Sequence, residues 1–130
     1  MQNTPLHLTI LEGSVGICRF DARTPVPEWV YRSSFYSVTR TLEELSIVCS
    51  EDLIPKDCHC HKGWKCLQLA GPLNLAATGI LASLTMPLAR AAVSVFVLST
   101  YDTDYLLVRL KDLQVVIETL KAEGHKVYED

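Results

Sequence analysis

A chain of 130 residues, 48% hydrophobic and 21% charged, has the balance of a globular protein that buries a core, so a disordered segment is not expected. A formal charge of -3, with 12 scattered Lys and Arg, leaves no basic excess for phosphates and makes nucleic acid a poor partner. The start, Met1-Gln2-Asn3-Thr4-Pro5, carries no positive charge ahead of an apolar run, so it does not read as a leader and a cytoplasmic location is expected. Cys18, Cys49, Cys58, Cys60 and Cys66 are an odd set, which favours free thiols over a disulfide framework.

Residues 6–11 and 15–20 read as strands around the turn Glu12-Gly13-Ser14. Residues 27–32 can supply only a short helix. Two apolar runs with an acidic turn between them fill 35–53, and 52–54 leaves barely one helical turn before Pro55. The stretch from Asp57 to Cys66 is expected to be an exposed loop, although 64–70 alternates apolar and polar residues like a strand and ends at Gly71-Pro72. Leu73, Ala77, Ile80, Leu84, Leu88 and Ala91 then share one helical face, with Pro87 expected to kink or loosen the last turn. Residues 70–89 lack a charge, but Asn74, Thr78, Ser83, Thr85, two prolines and the one-sided apolar face argue against a membrane span.

Residues 93–100 are rich in β-branched and aromatic types and read as a strand buried on both faces. A turn at 101–103 leads to an antiparallel partner at 104–110. Leu113, Val116, Ile117 and Leu120 mark a second helix, Gly124 suits the left-handed position past its end, and 125–128 can close the sheet. The order is β-α-β-β-α-β, the split arrangement of ferredoxin-like folds. Placing 35–53 over 95–113 matches two strands, a turn and a terminal Asp-Leu without a gap, so the first half reads as a degenerate copy displaced by sixty residues. Neither incomplete core is large enough to be comfortable alone, so the units are expected to pack together.

The segment 98–108 (LSTYDTDYLLV), preceded by Gly71-Pro72-Leu73 and by 78–84 (TGILASL), resembles a family of short tandem ACT proteins. The likeness extends through 35–41 (FYSVTRT), 45–49 (LSIVC) and Gly63-Trp64. It implies an α+β fold of two tandem ferredoxin-like (βαββαβ) ACT units at 1–63 and 64–130, each an antiparallel sheet with helices on one face, the first degenerate. ACT units often pair side by side and hold amino acids where paired units meet. The resemblance reaches ACT modules of aspartate kinases and cytosolic arginine sensors, which report ligand binding without chemistry of their own.

The family's ligand-facing positions correspond to Gly79, Ile80, Thr100, Tyr101 and Asp104. A helix opened by the Gly71-Pro72 turn would offer unpaired amide groups to a carboxylate, and Asp104 could take an ammonium. Arginine-sensing members of the family bring additional acid to this helix start, whereas Asn74, Leu75, Ala76 and Ala77 are uncharged, so the resemblance implies a smaller or less polar amino acid than arginine. Gly79 would cost about 1 kcal/mol inside a helix relative to alanine, which suggests close approach by a ligand or a backbone. Asp102 and Asp104 can equally be turn residues that satisfy local amides.

A zinc reading of Cys58, His59, Cys60 and His61 is disfavoured, because in an extended stretch the thiols and imidazoles point opposite ways and no C-x-x-C partner exists. Cys66 is expected in the core. No enzyme is expected: His7 and His125 sit at strand positions near the termini, and Gly13-Ser14-Val15-Gly16 lacks the lysine and helix of a phosphate loop. The reading is therefore a regulatory or sensor module for an amino acid, with no cofactor, metal or membrane. The alternative is an interaction module that pairs ACT units without ligand, as a homodimer or with another protein.

Overall fold

The computed structural model describes residues 5–72 and 78–129. The strands are β1 (His7–Ile10), β2 (Val15–Phe20), β3 (Ser37–Arg40), β4 (Leu45–Ser50), β5 (Cys60–Leu69), β6 (Val95–Ser99), β7 (Asp104–Arg109) and β8 (Lys126–Glu129). The α-helices are α1 (Ile80–Arg90) and α2 (Leu113–Ala122), and short 3-10 turns occupy Glu28–Arg32, Glu51–Leu53 and Leu110–Asp112. Among the described residues no helix is long and apolar enough to cross a membrane.

The backbone groups into two compact units, Gly13–Trp64 and Met1–Glu12 with Lys65–Asp130. The strand at 7–10 thus groups with the residues from Lys65 onward.

In the 13–64 unit the strands lie in the order β3-β4-β2-β5 and all pair antiparallel. Leu45, Ile47 and Cys49 alternate along β4, so their side chains share one face and bury with Cys18, Val30 and Ile54. Pro27, in extended conformation, leads into the 3-10 turn Glu28–Arg32, whose Val30 is fully buried. Ser33 then ties this turn to β4: its hydroxyl donates to the Phe35 carbonyl (2.6 Å) and accepts from the Ser50 amide (2.9 Å). No α-helix forms among the described residues of this unit, so two 3-10 turns stand where a complete βαββαβ unit would carry helices. The sixty-residue offset places β3 and β4 at 97–100 and 105–110, within two residues of β6 and β7.

The other unit has the strand order β6-β7-β5-β1-β8. The sheet is mixed where antiparallel pairing was expected, because β1 pairs antiparallel with β5 (Leu8↔Leu69) and parallel with β8 (Leu8↔Val127). Leu8 and Ile10 supply the buried face that this position needs, while β8, mostly exposed, takes the edge. Leu67, Leu69, Leu106 and Val108 continue the face, and Leu84 and Leu88 of α1 with Val116 and Leu120 of α2 close over it.

Helix α1 begins at Ile80 instead of following Gly71-Pro72 directly; Leu73 and Ala77 of the expected face fall outside the described residues. Pro87 is buried inside the helix, which continues to Arg90, with the Ala91 amide donating to the Pro87 carbonyl. Strand β6 is half-buried from Val95 to Leu98 instead of fully buried, since it pairs with β7 at an edge. Helix α2 ends as expected: Gly124 has φ 92°, and the Gly124 and His125 amides return to the Lys121 and Leu120 carbonyls, the paired bonds of a Schellman ending. The stretch from Asp57 to Cys66 is not simply a loop, because β5 starts at Cys60.

Candidate functional site around the β6–β7 turn

Ser99 and Asp104 are the last cross-strand pair before residues 100–103 reverse the chain. Opposed side chains on an antiparallel pair fall within reach of each other, and here the Ser99 hydroxyl donates to Asp104 Oδ1 at 2.6 Å. That bond fixes the carboxylate at the mouth of the hairpin and leaves it with further acceptor capacity. Asp104 remains half-exposed.

The turn holds itself through two threonines. The Thr100 amide donates to the Thr103 carbonyl (2.8 Å), the Thr100 hydroxyl donates to the same oxygen (3.1 Å), and the Thr103 amide donates to Thr100 Oγ1 (3.3 Å). This is the local side-chain-to-backbone bonding that lets hydroxyl residues build turns. Thr103 is buried, and its hydroxyl donates to the Leu69 carbonyl at 2.6 Å, which pins the turn to the end of β5. Tyr101 at the tip is 85% exposed.

Gly71 backs onto this turn. A Cβ there would stand 2.9 Å from the Asp102 carbonyl oxygen and 3.0 Å from Thr103 Cβ, and the former is backbone that cannot swing away. Gly71→Ala is expected to destabilise the protein by about 1–3 kcal/mol through overpacking, read as a lower midpoint in urea unfolding.

Thr100, Tyr101 and Asp104 are therefore gathered on one hairpin, as the sequence suggests. Gly79 and Ile80 lie at the start of α1, while Leu73, Asn74, Leu75, Ala76 and Ala77 lie outside the described residues. Gly79 is not a helix-interior residue: it precedes α1 with φ 79° and ψ -4°, a left-handed conformation, and a Cβ there meets nothing within 4 Å. The left-handed backbone by itself calls for glycine here, without close approach by another protein atom. No side chain among the described residues caps α1, and its first intrahelical bond runs from the Ser83 amide to the Gly79 carbonyl. The amides of Ile80, Leu81 and Ala82 precede that bond and face outward from the helix start.

Ser99 and Thr103 are not among the candidate site residues that the sequence offers, and Gly71, expected as a turn, is not expected to back onto this hairpin. Ser99, Thr103 and Gly71 are ordinary turn and strand types, and only the fold makes them the brace of Asp104. An open depression of about 180 Å³, lined by Ala82, Ser83, Met86, Pro87, Arg90, Glu123 and His125, includes none of the five expected ligand residues. His125 is buried and its Nδ1 accepts from the Leu6 amide at 3.1 Å, whereas exposed His7 lies 2.9 Å from the Tyr128 hydroxyl. Both histidines thus have structural partners. No group of three metal-ligating residues is poised to hold an ion among the described residues.

An ACT domain model matches residues 59–122, and a second model, an N-terminal domain, matches 13–57. The Bos taurus cytosolic arginine sensor for mTORC1 subunit 1 is 38% identical over 103 residues, which cover 71% of this chain and 31% of that protein. The chain thus spans about a third of the length of that sensor. A solved protein from Agobacterium tumefaciens is 41% identical with a TM-score of 0.93, covering 98% of this chain and 96% of the other. The ligand-free regulatory subunit of aspartate kinase from Thermus thermophilus shares the fold at 7% identity, with a TM-score of 0.57 over 85% of this chain and 91% of the other. The chain belongs to the ACT-domain proteins, related to the cytosolic arginine sensors, and shares its fold with the regulatory subunit of aspartate kinase.

Proposed function

We propose that the chain is a non-catalytic regulatory module that binds a small amino acid through the β6–β7 turn and the start of α1. The observation that carries this reading is the braced carboxylate of Asp104, held by Ser99 at the open end of a hairpin that Thr103 fastens to β5. An α-amino acid carries an ammonium that suits Asp104 and a carboxylate that suits the first amides of α1, which no side chain among the described residues caps. Gly79, Ile80, Thr100 and Tyr101 complete the set, Tyr101 supplying exposed aromatic surface for the side chain. The uncharged sequence from Asn74 to Ala77 favours a smaller or less polar ligand than arginine. The 13–64 unit serves, in this reading, as a degenerate second ACT-like copy.

A thermal-shift screen of the standard amino acids tests the proposal, because a ligand that binds only the native state raises the melting point with saturation. At least one amino acid should shift wild type at millimolar concentration, and Asp104→Ala should lose the shift while keeping its unliganded melting point within a few degrees. A flat response to every amino acid sinks the reading.

The edge position of β6 favours a second reading, in which ACT units pair through their sheets without any ligand. Sizing with and without amino acids separates the two. Pure assembly is indifferent to ligand, whereas a sensor shifts its equilibrium in proportion to its differential affinity.

A further inference from the structure

Four of the five cysteines meet in the 13–64 unit: Cys18 and Cys49 are fully buried in its core, and Cys58 and Cys60 pack half-buried against them. Cys18 on β2 lies directly opposite Cys60 on β5. The Arg19 amide donates to the His59 carbonyl at 3.0 Å, which makes Arg19 and His59 a hydrogen-bonded pair and therefore makes Cys18 and Cys60 the adjacent non-hydrogen-bonded one. Such pairs stand about 4.5 Å apart at Cα with side chains close, inside the range of roughly 4.4–6.8 Å that a disulfide spans. Cys49 is paired with Gly16, and Cys18 with Ile47, so Cys18 and Cys49 are only diagonal neighbours.

We propose that Cys18 and Cys60 are an oxidation site that closes into a cross-strand disulfide when a hydroperoxide reaches Cys60. Cys60 is the point of entry because it is partly open to solvent, whereas Cys18 is 1% exposed. The Cys60 thiolate attacks the peroxide, taking one oxygen to become a sulfenic acid as the O–O bond breaks and hydroxide leaves. Cys18 sulfur then attacks Cys60 sulfur; the S–S bond forms, the S–O bond breaks, and the Cys18 proton leaves with the departing hydroxide as water. Two thiols and one hydrogen peroxide give one disulfide and two waters.

Directly opposed residues on an antiparallel pair share one face of the sheet, and Cys60 packs against the cluster that holds Cys18 and Cys49, so the reacting side chains are neighbours before oxidation. Burial raises the Cys60 thiol above its ordinary range while Lys62 opposes that rise, so the first step is slow at neutral pH and quickens as pH increases. A shared metal is the competing use of four thiols. It has no support in the geometry, since no three ligating groups among the described residues are poised around one point.

The test exposes the folded protein to hydrogen peroxide, then unfolds it, alkylates it and maps its peptides without reduction. Two of the five thiols should resist alkylation, with the Cys18 peptide joined to the Cys60 peptide, and a reductant should restore both. Cys60→Ser, at a half-buried position that tolerates a hydroxyl, should keep its remaining thiols alkylatable at the same peroxide dose. Retention of all five thiols in wild type overturns the proposal. So does a link formed by Cys49 or Cys58, accumulation of sulfinic acid at Cys60 without a link, or bound stoichiometric zinc that blocks the reaction.

Discussion

Truncating Leu8 to alanine is expected to cost about 2–5 kcal/mol of stability, as much as the loss of any leucine from the core. Leu8 is only the second residue of β1, yet it is 0% exposed, stands opposite Leu69 on one side and Val127 on the other, and packs among the residues that α1 and α2 cover. Removing three heavy atoms from such a position loses their transfer free energy and leaves a cavity between two strands that cannot both collapse into it. Leu42→Ala, at a side chain 99% exposed, should stay within about 0.5 kcal/mol of wild type. Urea unfolding of the two variants decides the matter. A Leu8→Ala cost below about 1 kcal/mol would mean that the amino-terminal strand is not part of the ACT core.

Raising the pH should destabilise the protein through Cys66. Burial pushes this thiol from its ordinary 9.0 up to about 12, and Cys66 is 2% exposed. The folded chain therefore keeps a proton that the unfolded chain surrenders near pH 9. Unfolding releases that proton between pH 9 and 12, so the stabilisation is fully present below pH 9 and is lost as pH rises through the window. Three units of difference correspond to about 4 kcal/mol, an order-of-magnitude figure. Cys66→Ala removes this dependence along with some packing. The difference between wild-type and variant stability should thus shrink steadily above pH 9, and a constant difference up to pH 12 would refute the assignment.

Much of the ACT unit was legible because its signals are local. The spacing of Leu84 and Leu88, of Val116 and Leu120, and the glycine at position 124 each report a period or a cap decided within a few residues. The hairpin from Val95 to Arg109 was equally plain, and its sixty-residue echo located β3 and β4. What alternation cannot report is partnership. Leu8 and Ile10 read as strand, but nothing in their spacing says that the neighbours are residues 67–69 and 126–129. The same limit hid the edge position of β6 and the pairing of Cys60 with Cys18.

At the site, the family resemblance pointed to Asp104 but not to its brace. Ser99 and Thr103 become informative only when a cross-strand register and a tertiary bond to Leu69 are known. Gly79 carried a signal that its own backbone conformation accounts for. A glycine in an apolar helical pattern reads as a packing residue, whereas a left-handed backbone ahead of Ile80 requires glycine for its own conformation.

The seat of β1 between β5 and β8 also constrains how the molecule is made. The Leu6 amide bonds to His125 across 119 residues of sequence, and β1 pairs with β8 immediately beyond that contact. During synthesis β2, β3 and β4 can meet as soon as they leave the ribosome, but β1 must wait beside β5 with one edge open until residues 126–129 emerge. Closing so long a loop costs little more entropy than closing a medium one, so the delay is set by translation more than by equilibrium. Until then the nascent chain displays one unpaired edge of the strand that carries Leu8 and Ile10. That interval is when a chaperone would have something to hold.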